Sequence, residues 1–146
     1  MAELNQKAES FKHFVEKKDH KAFVVDPIKD DPFHTVVFRS HMDVDGTPLQ
    51  LIVVLDDSAF GVIRVLLAPK ALKEGNKEAL LSLLNEYNRT YKAFKFYLDK
   101  EESLIMDTCV IFREPQVDGN MMYGLFQMIS KELNEKYKDI MKTIWE

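Results

Sequence analysis

Residues 49–67 contain two runs of apolar, largely branched side chains separated by a short polar segment. The runs are Leu49 to Leu55 and Phe60 to Leu67, with Asp56-Asp57-Ser58 between them. Branched side chains favour strands because they are stiff and fit a pleated surface, and consecutive strands joined by a short turn are usually antiparallel neighbours. Apolar residues stand at both odd and even positions, so both faces of this sheet are predicted to be apolar. An antiparallel sheet with one wet face would alternate more cleanly.

The rest of the chain predicts three further strands. Phe33 to Met42 precedes an Asp45-Gly46 pair, which is a strong signal for a hairpin turn. Phe94 to Leu98 alternates apolar residues with polar ones and is the clearest strand pattern in the chain. Leu104 to Phe112 follows a charged turn. The short segment Ala22 to Val25 also has strand composition, but we do not include it in the predicted order.

Apolar spacing of three and four residues predicts three amphipathic helices. The first covers Leu4 to Glu16, the second follows Asn76 as N-cap, and the last follows Asp118 and continues to Ile144. The predicted order is α-β-β-β-α-β-β-α, an α+β fold with an antiparallel sheet. A loop from Asp26 to Pro32 interrupts the pattern between the first helix and the sheet. We predict one domain over residues 1–146.

The composition narrows the classes of function. The chain has 146 residues and a formal charge of -4, whereas nucleic-acid binders normally have a basic excess. No apolar run approaches the ~18 residues needed to span a bilayer. The N-terminal residues are polar, which argues against a secretory signal, and the single cysteine, Cys109, has no partner in the chain. We therefore expect a cytoplasmic protein that binds neither nucleic acid nor membrane.

Residue parity divides the strand residues into two faces. One set is predicted to meet the helices and includes Leu51, Val53, Phe60, Val62 and Leu66. The second set is predicted to be a partner or dimer surface and comprises Ile52, Val54, Ile63, Val65, Leu67, Ile105 and Ile111. Such a patch needs cover, because large exposed apolar patches mark interaction sites. Either a helix of the same chain, or a second subunit or client polypeptide, would provide it, and the residues leave both alternatives open.

The second half of the chain resembles a known family. The helix segment Leu80 to Asn88, reading LLSLLNEYN, is followed by the strand segment Ala93 to Asp99, reading AFKFYLD, and then by the strand Leu104 to Phe112 and the last helix. This succession is similar to that of the YbjN-domain family, whose members are labelled sensory transduction regulators, and to the type III secretion chaperone-like fold. The resemblance implies a small, acidic, usually dimeric protein that binds other polypeptides. The proline-bracketed loop departs from a secretion chaperone, so no secretion pathway is implied.

The residues contain no catalytic or cofactor-binding motif. The histidines lack zinc-ligand spacing; they are His13, His20, His34 and His41. Asp43 to Gly46 begins like a calcium loop, but Val54 stands where a bidentate glutamate is required. Phosphate-cradling glycine motifs and a nucleophile elbow are absent from the sequence. We predict no catalytic, cofactor-binding or metal-binding residue.

Two hypotheses for the function follow. The first is a non-enzymatic protein-interaction or regulatory module, dimeric, that binds a partner polypeptide or itself through apolar sheet and helix surfaces. The alternative is a small-molecule-binding or enzymatic domain similar to the NTF2-like cone, with a pocket under a curved sheet. That alternative requires polar groups such as Asp107, His34 or Tyr97 to converge in a deep cavity.

Overall fold

An antiparallel sheet and three helices form the α+β fold that the sequence predicts. The computed structural model describes residues 4–19 and 21–146, and within them it contains six strands and three helices. The helices are α1 (Gln6–Asp19), α2 (Lys77–Thr90) and α3 (Gly119–Trp145). The strands are β1 (Val24–Pro27), β2 (Val36–Val44), β3 (Thr47–Leu55), β4 (Phe60–Ala68), β5 (Lys95–Leu98) and β6 (Leu104–Ile111). Their order across the sheet is β1-β2-β3-β4-β6-β5.

Strand β1 adds one element to the predicted order, which becomes α-β-β-β-β-α-β-β-α. It contains part of the segment Ala22 to Val25 and continues to Pro27, pairing Val25 with Phe38 and Pro27 with Val36 of β2. Proline cannot donate to a strand ladder, but it is tolerated on an edge strand. Because β1 pairs with a strand that begins after an intervening loop, the composition of the short segment did not identify its partner.

Two local predictions, a hairpin turn and a helix cap, are confirmed by the structure. The Asp45-Gly46 turn between β2 and β3 has φ values of 49° and 81°, as a two-residue hairpin turn with both central residues in the left-handed region requires. The side chain of Asp118 accepts a hydrogen bond from the Met121 amide at 3.0 Å and caps α3. Both features follow from residue types that favour these conformations.

Asn76 stands at the N-terminus of α2, as predicted, but its side chain does not cap the helix. Its Oδ1 accepts from the Lys73 amide at 2.7 Å, and its Nδ2 donates to the carbonyls of Ala71 and Ile144 at 2.8 and 3.0 Å. The buried amide therefore joins the start of α2 to the end of α3. Sequence spacing identifies the position of this residue but not its partners.

All three helices pack on one face of the sheet, called here the covered face. The ring of Phe11 from α1 lies 5.0 Å from Phe38, and the ring of Tyr87 from α2 lies 5.2 Å from Phe96. Helix α3 adds a buried stripe to the same core; it consists of Met122, Ile129, Leu133, Ile140 and Ile144. The register connects Phe38 through β3 to Ile63 and connects Phe96 through β6 to Val65, so these residues share the covered face. Within the described residues, no helix combines the length and apolar character needed to cross a bilayer.

The parity assigned to β4 is wrong. Ile63, Val65 and Leu67 lie on the covered face, with 0%, 0% and 2% of their surfaces exposed. Correspondingly, Phe60, Val62 and Leu66 lie on the opposite face, where the sequence placed the other three. This strand is apolar at most odd and most even positions. Which set faces the helices is therefore decided by the register with the neighbouring strands.

Gly61 explains the observed register at the start of β4. It pairs with Leu55 on the covered face. A Cβ at this position would lie 2.6 Å from the Phe112 ring and 2.9 Å from a Leu55 methyl group. Glycine therefore allows both side chains to pack over the strand. Because Gly61 lies on the covered face, every second residue that follows it in β4 also faces the helices.

Candidate functional site

The face of the sheet opposite the helices, called here the open face, is the candidate site. Its apolar side chains lie outside the core cluster formed by the helices and the covered face. The register assigns to it Val37, Ile52, Val54, Phe60, Val62, Leu66, Ile105, Cys109 and Ile111. Among residues 4–19 and 21–146, no helix covers these side chains.

Four of the seven predicted surface residues lie on the open face. Ile52 and Val54 are half-buried in β3, Ile105 is buried in β6, and Ile111 is 70% exposed. Phe60 of β4, the cross-strand partner of Ile111, is 53% exposed. Together Phe60 and Ile111 form an exposed apolar corner of this face. The other three predicted residues belong to the core described above.

A three-residue polar cluster lies within the open face. The Arg64 guanidinium donates to both carboxylate oxygens of Asp107, its direct cross-strand partner, at 2.8 and 2.9 Å. The Tyr97 hydroxyl donates to the same carboxylate at 2.9 Å. The hydrogen bond to Asp107 raises the pKa of Arg64, while partial burial and then the Asp107 hydrogen bond raise the pKa of Tyr97. Asp107 is therefore a paired carboxylate and not an isolated one.

Two ion pairs lie on the open face. The register assigns to this face Arg39 and Arg64 and the carboxylates Asp26, Asp43 and Asp107, whereas the ammonium of Lys95 reaches across the sheet edge to the end of α2. Beside the Arg64 pair, Arg39 donates to the Asp26 carboxylate at 3.1 Å. The two arginines of this face are therefore each neutralised by a carboxylate of the same face.

The turn between β5 and β6 borders a shallow cavity of about 230 Å³ on the open face. Apolar side chains of Ile52, Leu66 and Ile105 line it together with the stem of Arg64, and Asp99 and Glu101 belong to the turn.

A larger cleft of about 670 Å³ lies at the start of α1, away from the open face. Lys7, although charged, is only 5% exposed, and its ammonium donates to the carbonyls of Ser58 and Phe60. Burial lowers the pKa of Lys7, against the raising effect of Asp56 and Asp57. Because the ammonium is held by backbone carbonyls, we interpret Lys7 as an anchor between α1 and the turn before β4.

The polar groups required by the pocket hypothesis lie in two places. Asp107 and Tyr97 are hydrogen-bonded on the open face. His34 is paired with Asp57 at the rim of the cleft, and this hydrogen bond raises the pKa of His34. The structure thus brings together two of the three residues, on an exposed sheet face and not beneath a curved sheet.

The described part of the chain contains no cluster of three His, Cys, Asp or Glu side chains able to hold a metal ion. Of the four histidines in the sequence, His20 lies outside the described residues.

The sequence interpretation omitted Arg64, considered Tyr97 only for the pocket hypothesis, and placed Phe60, Val62 and Leu66 of β4 on the helix side. One signal was present: Arg64 and Asp107 are the only charged residues within their respective strands. Opposite charges on neighbouring strands stabilise a sheet when they stand opposite one another. Placing the two on a common face would have fixed the phase of β4.

No protein-family model matches the chain, and no curated protein matches it.

Proposed function

We propose that this protein is a non-enzymatic protein-interaction module that associates with a second copy of itself through the open face. The observation that carries the proposal is the apolar surface of four neighbouring strands that no helix of the described residues covers. Exposed apolar side chains such as Phe60 and Ile111, on a face that no helix of the described residues covers, are characteristic of interaction sites.

The area of the open face supports a dimer. Four long strands of eight or nine residues run side by side. With ~4.8 Å between strands and ~3.3 Å per residue, they cover a flat area on the order of 500 Å². The short strands β1 and β5 and the relief of the side chains extend this area toward the ~800 Å² per partner of a standard interface.

The ion pairs support a second copy as the occupant. In a two-fold dimer the same patch meets itself, so charges within the patch oppose burial unless they are paired. The Arg64–Asp107 and Arg39–Asp26 pairs neutralise one another within each face. Two open faces can therefore approach without an unpaired charge from these groups being buried.

We further propose that the chain belongs to the YbjN-domain family, with its secretion chaperone-like fold and regulatory role. Its support is the order of the elements after β1, which agrees with the order on which the resemblance was based. A cytoplasmic location is proposed with it. The exposed free thiol of Cys109 is compatible with such a reducing compartment.

Sedimentation velocity over a dilution series tests the proposal. We expect a dimer that dissociates on dilution, and we expect Val62→Lys to shift the protein to monomer, because the substitution buries an unpaired ammonium in the interface. Leu81→Lys is the matched control, since Leu81 is an exposed apolar residue of α2 on the helical side. The control should behave as the unsubstituted protein.

Cys109 provides an independent probe of the same surface. It is exposed on the open face opposite Val62 of β4. Its rate of modification by a thiol reagent should fall as protein concentration rises, and Val62→Lys should remove this dependence. A monomer at all concentrations, with a labelling rate that does not depend on concentration, contradicts the proposal.

A further inference from the structure

Strand β5 places the clearest alternating strand pattern of the sequence at an edge of the sheet. It has four residues, Lys95 to Leu98, and pairs on one side only, with β6. Phe96 and Tyr97 of β5 are aromatic residues, which favour strands, and an edge strand offers unpaired backbone groups to any other strand. Natural proteins protect such edges from pairing with other strands, so we expect the free side of β5 to be protected as well.

The side-chain amide of Asn88 supplies a closing contact. Its Oδ1 accepts from the backbone amide of Phe96 at 2.7 Å, and its Nδ2 donates to the carbonyl of Phe96 at 2.9 Å. The amide of Asn88 thus binds both backbone groups of Phe96, the groups that a neighbouring strand would bind. Since Phe96 is the second of the four residues in β5, this contact blocks the middle of the edge.

A second contact holds the end of α2 beside β5. The Lys95 ammonium donates to the carbonyls of Asn88 and Tyr91 at 2.8 and 2.9 Å. Cations are favourable at the negative C-terminal end of a helix. The contact keeps the last turn of α2, which carries Asn88, next to the strand.

The other edge of the sheet is protected by its own sequence. Strand β1 has only four residues and ends in Pro27, which has no amide hydrogen. Asp26 adds a charge to this edge. Shortness, proline and charge are the usual protections of an edge strand. Strand β5 is equally short and carries Lys95, so Pro27 is the protection that distinguishes β1 from β5.

We propose that Asn88 closes a latent strand-pairing site on β5, and that opening it lets β5 pair with β5 of a second copy. Antiparallel pairing of two identical strands is compatible with two-fold symmetry. The sequence of β5 favours this occupant because Phe96 and its neighbours form strands readily. This inference rests on the edge contacts and not on the open face.

Asn88→Ala tests it, with Asn85→Ala as the matched control. Asn85 is an exposed residue of the same helix, so its substitution should change neither the edge nor the assembly. In Asn88→Ala, the Phe96 amide should exchange about fivefold faster, as expected for the loss of one hydrogen bond. The variant should also form larger species than the unsubstituted protein in sedimentation velocity.

Combining Asn88→Ala with Val62→Lys separates this inference from the proposed function. If the edge carries the new association, the double variant still self-associates although the open face is blocked. A folded double variant that stays monomeric overturns the inference, and so does unchanged exchange of the Phe96 amide. Neither result affects the dilution behaviour that tests the open face.

Asn88→Asp keeps the test decisive if Asn88→Ala fails to fold. The aspartate retains an acceptor for the Phe96 amide but loses the donor to its carbonyl. If both variants fold, we expect Asn88→Asp to self-associate more than the unsubstituted protein and less than Asn88→Ala. If Asn88→Ala is unfolded, we expect Asn88→Asp to self-associate more than the unsubstituted protein. A folded Asn88→Asp variant that assembles as the unsubstituted protein does overturns the inference.

Discussion

The two faces of the sheet are both rich in apolar residues, yet they have different environments. On the covered face, Phe38 and Ile63 are fully buried beneath the helices. On the open face, Val62 directly precedes Ile63 in β4 but lies half-buried beside a polar cluster. Adjacent residues of one strand therefore have opposite environments. Apolar composition alone does not identify the core; the side of the strand on which the helices pack decides it.

Glutamate at two adjacent positions gives the largest expected contrast. Ile63→Glu buries a carboxylate without a partner and should lower the free energy of unfolding by more than ~4 kcal/mol. Val62→Glu, with its side chain on the open face, should cost about 1 kcal/mol or less in the monomer. Urea denaturation at low protein concentration measures both. Equal losses of stability would show that the open face is covered in solution.

Truncation of two phenylalanines contrasts the faces without adding charge. Phe11 of α1 is fully buried against Phe38 and Phe23, so Phe11→Ala should cost about 3–5 kcal/mol. Phe60→Ala, on the exposed corner of the open face, should cost less than about 1 kcal/mol. Thermal and urea unfolding of the two variants provide the comparison. A loss above ~3 kcal/mol for Phe60→Ala contradicts the assigned exposure.

The Arg64–Asp107 pair tests how the polar cluster contributes to the open face. Its side chains are 36% and 21% exposed, so solvent weakens the attraction, and a double-mutant cycle should give a coupling of about 1 kcal/mol. Because Asp107 also accepts from Tyr97, Asp107→Ala should cost more than Arg64→Ala. Added salt should reduce the coupling. A coupling near zero would mean that the pair does not stabilise the fold.

Two tyrosines give the smallest expected effect. Burial raises the pKa of Tyr87 on the covered side to about 12. The folded state favours its neutral form, so this contribution is complete below the ordinary pKa of ~10 and is lost as pH rises through the folded value. The midpoint of thermal unfolding should fall between about pH 10 and 12, and Tyr87→Phe should flatten that fall.

Tyr97 on the open face provides the comparison for Tyr87. Its hydroxyl donates to Asp107, so Tyr97→Phe should already lower stability at neutral pH by about 0.5–1.5 kcal/mol. Tyr87→Phe should change neutral stability less than Tyr97→Phe does. A larger loss of stability for Tyr87→Phe than for Tyr97→Phe would contradict the stabilising role assigned to the Tyr97 hydroxyl.

Much of the fold could be predicted because its signals are local. The Asp45-Gly46 turn, the Asp118 cap and the alternation around Phe96 depend on residues within one turn or one strand, so the sequence contains them directly. β1 escaped the predicted order because its stability comes from pairing with β2. The candidate site was predicted in part: Ile52, Val54, Ile105 and Ile111 were placed on the open face, but the β4 residues were not.

The amino-acid sequence by itself determined the element types, the α+β class and the apolar character of both sheet faces. Only the tertiary structure decided which apolar residues face the helices. When a strand is apolar at both odd and even positions, its own sequence does not show which positions face the core. Its pairing with the neighbouring strands decides this. Here it is set where Gly61 admits Leu55 and Phe112 and where Arg64 meets Asp107. The contact of Asn88 with Phe96 was likewise decided by packing, since it requires α2 to lie beside the sheet edge.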